Sequence, residues 1–368
     1  NNLKAVFFFY FDRSHILRLA LCTGEDDDVA KKIIASFGDS KTTSELLPSI
    51  KTSGTSTNFS KLDPPTATMS SFDLVGVEAA YQQAVASILS GKHVLFMGPP
   101  GTAKTELSEC LCRAFGTEFT LSTATAEWTT FETIGGYLTS LDSGSSTELD
   151  FNLGVVTESI LSNKWLIIDE FNRADMDKAF GELFTILTGK TIDLPYQKRT
   201  STGAKRIQIG PDAIDGDKFN IPLKPDWRMV ATMNSFDKAS LARLSLALMR
   251  RFAIIHVDAP AETEYQKLIE SAASSCRPPS STHTTFNLTV LKLISLFASE
   301  ADDGFRSIGL EVGPAIPIDA INYIAERLGM PDPPVAEDLV FEALINYLFP
   351  QFEGRDDLHE EIIRVLSK

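Results

Sequence analysis

Residues 93–105 read HVLFMGPPGTAKT, and this stretch decides the fold. Its first five residues predict a short, mainly apolar strand, and the amphipathic pattern that continues to about Phe115 predicts a helix after the Gly- and Pro-rich loop. Backbone N–H groups of such a loop and of the helix start offer partial positive charge to phosphate oxygens. The predicted nucleotide-binding residues of this loop are Gly98, Pro99, Pro100, Gly101, Thr102, Ala103, Lys104 and Thr105.

Two side chains at the end of the loop add specific chemistry. Lys104 supplies a mobile positive charge for the β- and γ-phosphates, and the Thr105 hydroxyl is suited to ligate Mg²⁺. Ala103 stands before the lysine, where such loops usually have Gly. Because a Cβ disfavours a positive φ, we expect Ala103 to have a negative φ, as in a first helical turn. A Gly/Pro turn without a ligand is the alternative, and the flanking strand and helix argue against it.

Two acidic residues follow a second predicted strand. Residues 165–168 are apolar and lead into Asp169 and Glu170. Carboxylates at the carboxyl end of a parallel strand lie in the crevice where ligands bind. There Asp169 would hold Mg²⁺, directly or through water, and Glu170 would activate the attacking water as a general base. Two solvated acids at a strand end are the alternative, and the presence of the phosphate loop argues against it.

A third strand and a pair of arginines complete the predicted site. Residues 229–233 (MVATM) predict a strand that ends at Asn234, whose neutral amide can orient water beside a γ-phosphate; an Asn in a simple turn is the alternative. Arg250 and Arg251 precede another apolar strand. A guanidinium stabilises charge on a transferring phosphoryl group, often from a neighbouring subunit. A charged helix end at the surface is the alternative for this pair.

The distribution of patterns predicts an α/β fold. Apolar strands alternate with helical patterns in residues 72–258, which indicates a mostly parallel sheet flanked by helices. Residues 259–368 contain helical patterns separated by Pro- and Gly-containing turns, which predicts a C-terminal helical lid domain. These patterns lie around residues 262–272, 288–298, 316–328, 336–348 and 358–366. Residues 1–46 predict a small α+β segment, with strands at 6–11 and 16–22 and a helix at 29–37, and the Ser-, Thr- and Pro-rich residues 47–71 predict a linker. The chain begins with Asn rather than Met, which fits either a fragment or a processed product, and residues 1–46 fit part of a larger domain as one alternative.

Composition excludes several classes of protein. The 368 residues carry 34 Lys+Arg and 49 Asp+Glu, a net charge of −15, which argues against a basic nucleic-acid-binding coat. The four cysteines have no paired CxxC spacing and the five histidines form no metal motif, so a disulfide scaffold or zinc site is not expected. We therefore expect a reducing, cytoplasmic location. No apolar run approaches the roughly 20 residues of a membrane span, so no membrane association is expected.

Two segments could act on a substrate. Residues 128–137 contain aromatics and a Gly-Gly pair, which fits either a mobile loop facing a pore or a packed insertion. Residues 190–226 predict an inserted hairpin with a charged tip. This tip fits a contact with nucleic acid or with an acidic partner; the alternative is a solvated hairpin end without a ligand. The candidate contact residues at this tip are Lys198, Arg199, Lys205 and Arg206.

Taken together, these motifs resemble the AAA+ ATPases, and within them the branch that holds the McrB restriction GTPase, the MoxR-type proteins and the dynein-related modules. The segments that carry the resemblance are DEFNRAD (169–175), GEL (181–183), ATMNSFDK (231–238) and LMRRF (248–252). The resemblance covers residues 72–258 closely and the lid loosely, where YLFPQFEG (347–354) also matches McrB-type lids.

This resemblance implies a ring, usually a hexamer, with ATP or GTP and Mg²⁺ bound between subunits. ATP is the commoner nucleotide among these relatives, although McrB uses GTP. The implied arginine finger is Arg251, with Arg250 beside it, acting on the neighbouring subunit. Further residues that match site-shaping positions of the McrB-like pattern are Asn172, Arg173 and Asp237. Ala315 stands near the start of a lid helix where many relatives place a γ-phosphate-sensing Arg, so no second sensor is assigned.

Three functions follow as hypotheses. The first is a motor or remodeller that moves a nucleic acid or a protein, with a nuclease partner in a defence system by analogy with McrB. The second is a MoxR-like chaperone that activates a protein partner without nucleic acid, toward which the acidic net charge leans. The third is a nucleotide-gated scaffold with negligible turnover. Ala103 and the missing lid Arg support this hypothesis, whereas Glu170 and the paired arginines argue against it.

Overall fold

The computed structural model describes residues 7–11, 17–21, 62–65, 72, 74–141, 147–181, 183–212, 215–235, 250–299, 304–352 and 359–367. The chain divides into two compact units, residues 1–56 and 57–368. In the first unit, β1 (Phe7–Phe11) and β2 (Leu17–Leu21) form an antiparallel hairpin, with Phe9 opposite Leu19. The two strands predicted here are confirmed, whereas the predicted helix over residues 29–37 and most of the predicted linker lie outside the described residues.

A five-stranded parallel sheet forms the centre of the second unit. Its strands are β3 (His93–Gly98), β4 (Phe119–Thr123), β7 (Trp165–Asp169), β11 (Met229–Asn234) and β12 (Phe252–His256). The strand order is β12-β3-β11-β7-β4, and every neighbouring pair is parallel. The predicted α/β class with a parallel sheet is therefore confirmed.

Both faces of this sheet are covered, which explains why its central strands are continuous apolar runs. Val94 and Phe96 of β3 face a cluster with α1 (Glu78–Leu89) and α2 (Lys104–Ala114). Leu95 faces the opposite cluster, built largely from residues between β4 and β11. Since successive side chains of a strand point to opposite faces, each cluster takes alternate residues of the same strand.

The opposite cluster collects several short elements between β4 and β7. These are α3 (Thr130–Thr133), β5 (Gly135–Leu141), β6 (Thr147–Leu153) and α4 (Val155–Leu161). Gly135 and Gly136 are buried at the start of β5, and a Cβ on Gly136 would lie 2.2 Å from the Phe131 ring. The Gly-Gly pair is therefore packed in a hairpin, as in the packed-insertion alternative, and is not a free hinge.

Further short elements lie between β7 and β11. A 3₁₀ turn (Phe171–Arg173) precedes α5 (Met176–Phe180) and α6 (Leu183–Ile186). The predicted hairpin is present as β8 (Ile192–Thr200) and β9 (Gly203–Gly210), and β10 (Phe219–Pro222) pairs parallel with β9. This third strand was not predicted, because only four residues of β10 form it and they include Asn220 and Pro222.

The C-terminal part of the second unit is helical. Its helices are α7 (Glu262–Ser275), α8 (His283–Phe297), α9 (Ala315–Arg327), α10 (Ala336–Ala343) and α11 (His359–Leu366). A π-helical turn (Leu344–Leu348) and a 3₁₀ turn (Phe349–Phe352) follow α10. These helices surround their own apolar cluster, whose members all lie between residues 259 and 366. Each predicted helical pattern corresponds to one of them.

Among the described residues, no helix is both long enough and apolar enough to cross a membrane.

Candidate functional site

The carboxyl ends of three neighbouring strands meet at one cavity. The loop after β3, Asp169 and Glu170 after β7, and Asn234 at the end of β11 all line it, and its volume is about 470 Å³. Asn234 is in register with Gly98, so the end of β11 lies directly beside the start of the loop. The parallel sheet thus brings together the three motifs that lie far apart in the sequence. We call this side of the cavity, residues 100–105, 169–170, 232 and 234, the phosphate wall; Gly98 and Pro99 of the predicted loop do not line the cavity.

The facing side of the cavity belongs mainly to the lid. Its residues are mostly apolar, and we call this side the lid wall: Leu268, Pro314, Ala315, Ile318 and Gln351. Leu74, Val75, Val77 and Pro260 extend the apolar surface at the edge of the sheet domain, beside Asp258. The sequence analysis missed these residues because they come from short apolar segments that resemble ordinary core, and only the folded chain places them around one cavity.

Lys104 is buried at the start of α2 and folds back onto its own loop. Its Nζ donates to the carbonyl oxygens of Gly98 (3.1 Å) and Pro99 (2.6 Å). Burial lowers the pKa of Lys104 to about 8, against the opposing effect of the nearby Glu170 and Asp169 carboxylates. The ammonium is therefore held by neutral carbonyls, which an anionic ligand can replace as a partner.

Ala103 departs from the expectation of a negative φ. Its φ is 57° and its ψ is 32°, so it is in the left-handed region. The expectation was wrong because Ala103 precedes the first helical residue, where the chain still turns from loop to helix. For a residue with a Cβ, this conformation costs roughly 1–2 kcal/mol. The loop therefore has the backbone of a glycine position with an alanine side chain.

Asp169 connects the loop helix to the central strand. Its Oδ1 accepts hydrogen bonds from Thr105 Oγ1 (2.8 Å) and from Thr232 Oγ1. A hydroxyl and a carboxylate oxygen in contact fit Mg²⁺, which takes hard oxygen ligands and is usually completed by water and substrate phosphates. Among the described residues, no group of three or more His, Cys, Asp or Glu side chains is placed to hold a metal ion.

Thr232 is a site residue that the sequence analysis missed. It is nearly fully buried in β11, two residues before Asn234 and therefore on the same face of the strand. Its hydroxyl also accepts a hydrogen bond from the backbone N–H of Glu170 at 3.3 Å. A hydroxyl within an otherwise apolar strand was the signal that could have identified it.

Glu170 is held in place by its neighbours. Asn234 Nδ2 donates to Glu170 Oε1 at 2.6 Å, and Arg173 Nε lies 3.9 Å from Glu170 Oε2. Burial raises the pKa of Glu170, and the Arg173 charge opposes that rise. Glu170 also has a φ of 53°, an unfavourable conformation of the kind that clusters at functional sites. A partly buried carboxylate fixed by an amide is suited to accept a proton from water.

The two arginines have different surroundings. Arg251 Nε donates to the Phe184 carbonyl oxygen at 2.8 Å, and its guanidinium lies 6.0 Å from the centre of the Phe184 ring. Arg250 is exposed, and its backbone carbonyl accepts a hydrogen bond from Lys92. Arg251 is thus engaged within its own chain, whereas Arg250 is exposed to solvent.

The three residues predicted to shape the site differ in their burial and in whether the structure describes them. Asn172 is buried in the 3₁₀ turn after Glu170, and Arg173 in the same turn is exposed. Asp237 lies outside the described residues.

The basic residues of the β8–β9 hairpin mostly bind carbonyl groups of the same chain. Lys198 Nζ donates to Phe151 O at 2.8 Å, Lys205 Nζ to Gly216 O at 2.7 Å, and Arg206 Nε to Leu194 O at 3.0 Å. Arg199, directly opposite Ala204, is exposed. Lys198, Lys205 and Arg206 thus support the structure of the hairpin itself, which favours the solvated-hairpin alternative over a binding patch.

Comparison with known proteins agrees with this arrangement. Residues 93–252 match the AAA domain (dynein-related subfamily). This match includes the loop, Asp169, Glu170, Asn234 and both arginines. It confirms the predicted AAA+ resemblance at the level of this subfamily, while a specifically McrB-like character stays a prediction. Within residues 93–252, the chain is therefore similar to an AAA domain, and its parallel sheet carries the phosphate loop at the carboxyl end of β3.

Individual proteins similar to this chain share only part of its length or little of its sequence. The chain is 31% identical over 180 residues to the uncharacterized protein YojN of Bacillus subtilis (strain 168), a match that covers 49% of this chain and spans about half (52%) of that protein. Among solved structures, a mutant of Thermotoga maritima RuvB has 17% identity and a TM-score of 0.41, covering 76% of this chain and 72% of that chain. NtrX from Brucella abortus in complex with ADP has 14% identity and a TM-score of 0.42, covering 73% and 54% respectively. Since these TM-scores are below 0.5, the fold assignment rests on the sheet order and the family match.

Proposed function

We propose that this protein is a Mg²⁺-dependent nucleoside triphosphatase that hydrolyses ATP, or alternatively GTP, at the cavity between the sheet and the lid. The observation that carries the proposal is the contact between Asn234 and Glu170 beside the phosphate loop. It combines a fixed proton acceptor, Glu170, with a loop and a lysine suited to phosphates in one cavity.

Each wall of the cavity has its own part in this proposal. Loop N–H groups and Lys104 bind the phosphates, and Thr105 and Asp169 would hold Mg²⁺, which neutralises phosphate charge when bound. Glu170, held by Asn234, takes a proton from the attacking water. The apolar lid wall and the residues around Val77 enclose the base and ribose.

We propose further that Arg250 is the arginine finger that acts on a neighbouring subunit in a ring. The resemblance alone favoured Arg251, but Arg251 is bound to Phe184 of its own subunit, whereas Arg250 is exposed. Arg251 then has a supporting part, orienting the segment that carries Arg250.

Mixing two inactive variants tests this arrangement. Glu170→Gln subunits lack the base and retain Arg250, and Arg250→Ala subunits lack the arginine and retain Glu170. If the site is shared, each variant alone releases little phosphate and a mixture recovers part of the activity. Phosphate release from ATP and from GTP across protein concentration gives the preferred purine and the dependence on assembly. No turnover at any concentration with either nucleotide would contradict the proposal.

The substrate that hydrolysis would act on is a further proposal, based on the McrB and MoxR resemblance. We favour a protein substrate or partner, because Lys198, Lys205 and Arg206 of the hairpin are engaged within the chain. Stimulation of turnover by DNA rather than by protein would instead favour the McrB-like alternative with a nuclease partner.

A further inference from the structure

The lid meets the phosphate loop through backbone atoms. The N–H of Gly313 donates to the carbonyl oxygen of Pro100 at 2.8 Å, and the N–H of Ala315 donates to that of Gly101 at 3.4 Å. Gly313 lies two residues before α9 and Ala315 is the first residue of that helix, so the start of this lid helix is bonded to the loop without any side chain.

Gly313 has no room for a side chain at this contact. A Cβ on Gly313 would lie 2.0 Å from the carbonyl carbon and oxygen of Gly101 and 2.4 Å from the nitrogen of Thr102. Those neighbours are backbone atoms, which cannot rotate away as a flexible side chain can. Glycine is therefore required here for close approach between two segments of backbone.

The two carbonyls that the lid binds belong to specific peptide groups. In a trans peptide, the C=O and the N–H point in opposite directions. The Pro100 carbonyl shares its peptide with the Gly101 N–H, and the Gly101 carbonyl shares its peptide with the Thr102 N–H. Holding each carbonyl toward the lid therefore directs the N–H of Gly101 and of Thr102 away from it.

These two N–H groups matter more than usual in this loop. Pro99 and Pro100 have no N–H, so Gly101 and Thr102 carry the first donors that the loop offers. Both residues line the cavity. Among the hydrogen bonds of the described residues, none uses either N–H as a donor.

The segment before Gly313 is itself fixed in the lid. The buried Tyr265 hydroxyl donates to the Val312 carbonyl oxygen at 2.9 Å. The Arg306 guanidinium lies 5.2 Å from the centre of the Tyr265 ring and donates to the Pro260 carbonyl. Gly313 is therefore held from the lid side as well as from the loop side.

We propose that Gly313 is a positioning residue for phosphate binding: the lid backbone at residues 313–315 aims the Gly101 and Thr102 N–H groups at the phosphates. This inference rests on the proposed nucleotide binding. It gives the lid a direct contact with the phosphate loop although Ala315 provides no charged side chain. Displacing the lid from the loop would then weaken phosphate binding.

The test compares Gly313→Ala with the wild-type protein and with Gly216→Ala. Gly216 is exposed and has space for a Cβ, so Gly216→Ala is the control for a glycine substitution as such. Titration calorimetry with ADP, GDP and their slowly hydrolysed triphosphate analogues gives the affinities. We expect Gly313→Ala to weaken binding at least tenfold and to raise KM much more than it lowers kcat. Gly216→Ala should bind as the wild type does.

Hydrogen exchange at single amides separates positioning from general damage. In Gly313→Ala, we expect faster exchange at residues 313 and 315, with unchanged exchange in the central strands. Tyr265→Phe is the milder second variant: it removes only the hydroxyl bond to Val312, and we expect a smaller loss of affinity in the same direction.

Three results are informative. If wild-type protein binds none of the nucleotides, the proposed function fails and this inference fails with it. If wild-type protein binds and Gly313→Ala binds equally well, only the inference is overturned. If Gly313→Ala does not fold, unchanged affinity in a folded Tyr265→Phe would also overturn it.

Discussion

The two walls of the cavity would hold one ligand by different physical means. The phosphate wall is polar, hydrogen-bonded and locally strained, with Ala103 and Glu170 both at positive φ. The lid wall is mostly apolar and reaches the loop through backbone bonds from Gly313 and Ala315. Under the proposed function, the sheet supplies the reacting groups, whereas the lid contributes enclosure and alignment. Variants of the proton acceptor in the phosphate wall should therefore change kcat most, and variants in the lid wall should change affinity most.

The sharpest division between the walls is expected at Glu170. Glu170→Gln keeps the size of the side chain but removes the proton acceptor, so kcat should fall by roughly 10²–10⁴-fold while nucleotide affinity changes little. Steady-state phosphate release and titration calorimetry measure the two effects. Glu109→Gln, at a half-buried position of α2 that does not line the cavity, is the matched control and should keep wild-type turnover. Equal turnover in Glu170→Gln would remove Glu170 from the mechanism.

The phosphate wall should also respond to pH through Lys104. Its pKa is lowered to about 8 in the unliganded protein, and phosphates favour the charged form. Below pH 8, affinity should be nearly constant; above it, binding requires proton uptake, so affinity should fall by up to about tenfold per pH unit. The stability of the unliganded protein should rise over the same range, because the unfolded chain then binds more protons than the native state.

Lys104→Arg provides the comparison for this prediction, because a guanidinium stays charged throughout the range. Its affinity, although lower, should not change between pH 7 and 9.5. A parallel decline in Lys104→Arg and wild type would mean that another group causes the pH dependence.

The lid wall should show the opposite behaviour at Ile318. Ile318→Ala removes apolar surface from the cavity, a loss of about 1 kcal/mol in contact with the nucleoside, or roughly fivefold in affinity. The value of kcat at saturating nucleotide should stay within about twofold, since no reacting group changes. Ile345→Ala, an exposed lid position outside the cavity, should alter neither value. A loss in kcat larger than the loss in affinity would contradict the division between the walls.

The smallest effect concerns the strain at Ala103. Ala103→Gly should relieve the cost of the positive φ, partly offset by the greater freedom of glycine in the unfolded chain, for a net gain of about 1 kcal/mol or less. Ala86→Gly, in the exposed part of α1, should lose about 1 kcal/mol instead. Thermal unfolding of both variants measures this difference in sign, and destabilisation of both would show that Ala103 is not strained.

Local patterns identified most of the phosphate wall in advance. The strand, loop and helix around residues 93–115, the carboxylates after Ile168 and the amide of Asn234 all have short-range signals, because each depends on a strand ending in a polar residue. Thr232 and the lid wall could not be predicted in the same way. An isolated hydroxyl in a strand and scattered apolar residues have many structural explanations until the chain is folded.

Short-range sequence determined that this protein has a parallel α/β core with a phosphate loop, since hydrophobic periodicity and Gly/Pro spacing act within a few residues. The folded chain was needed to show that Arg251 is engaged with Phe184, where the hairpin cations bind, and that Gly313 contacts Pro100. Those outcomes depend on contacts between segments far apart in the chain, and their energies are set by packing and hydrogen bonding that no local pattern encodes.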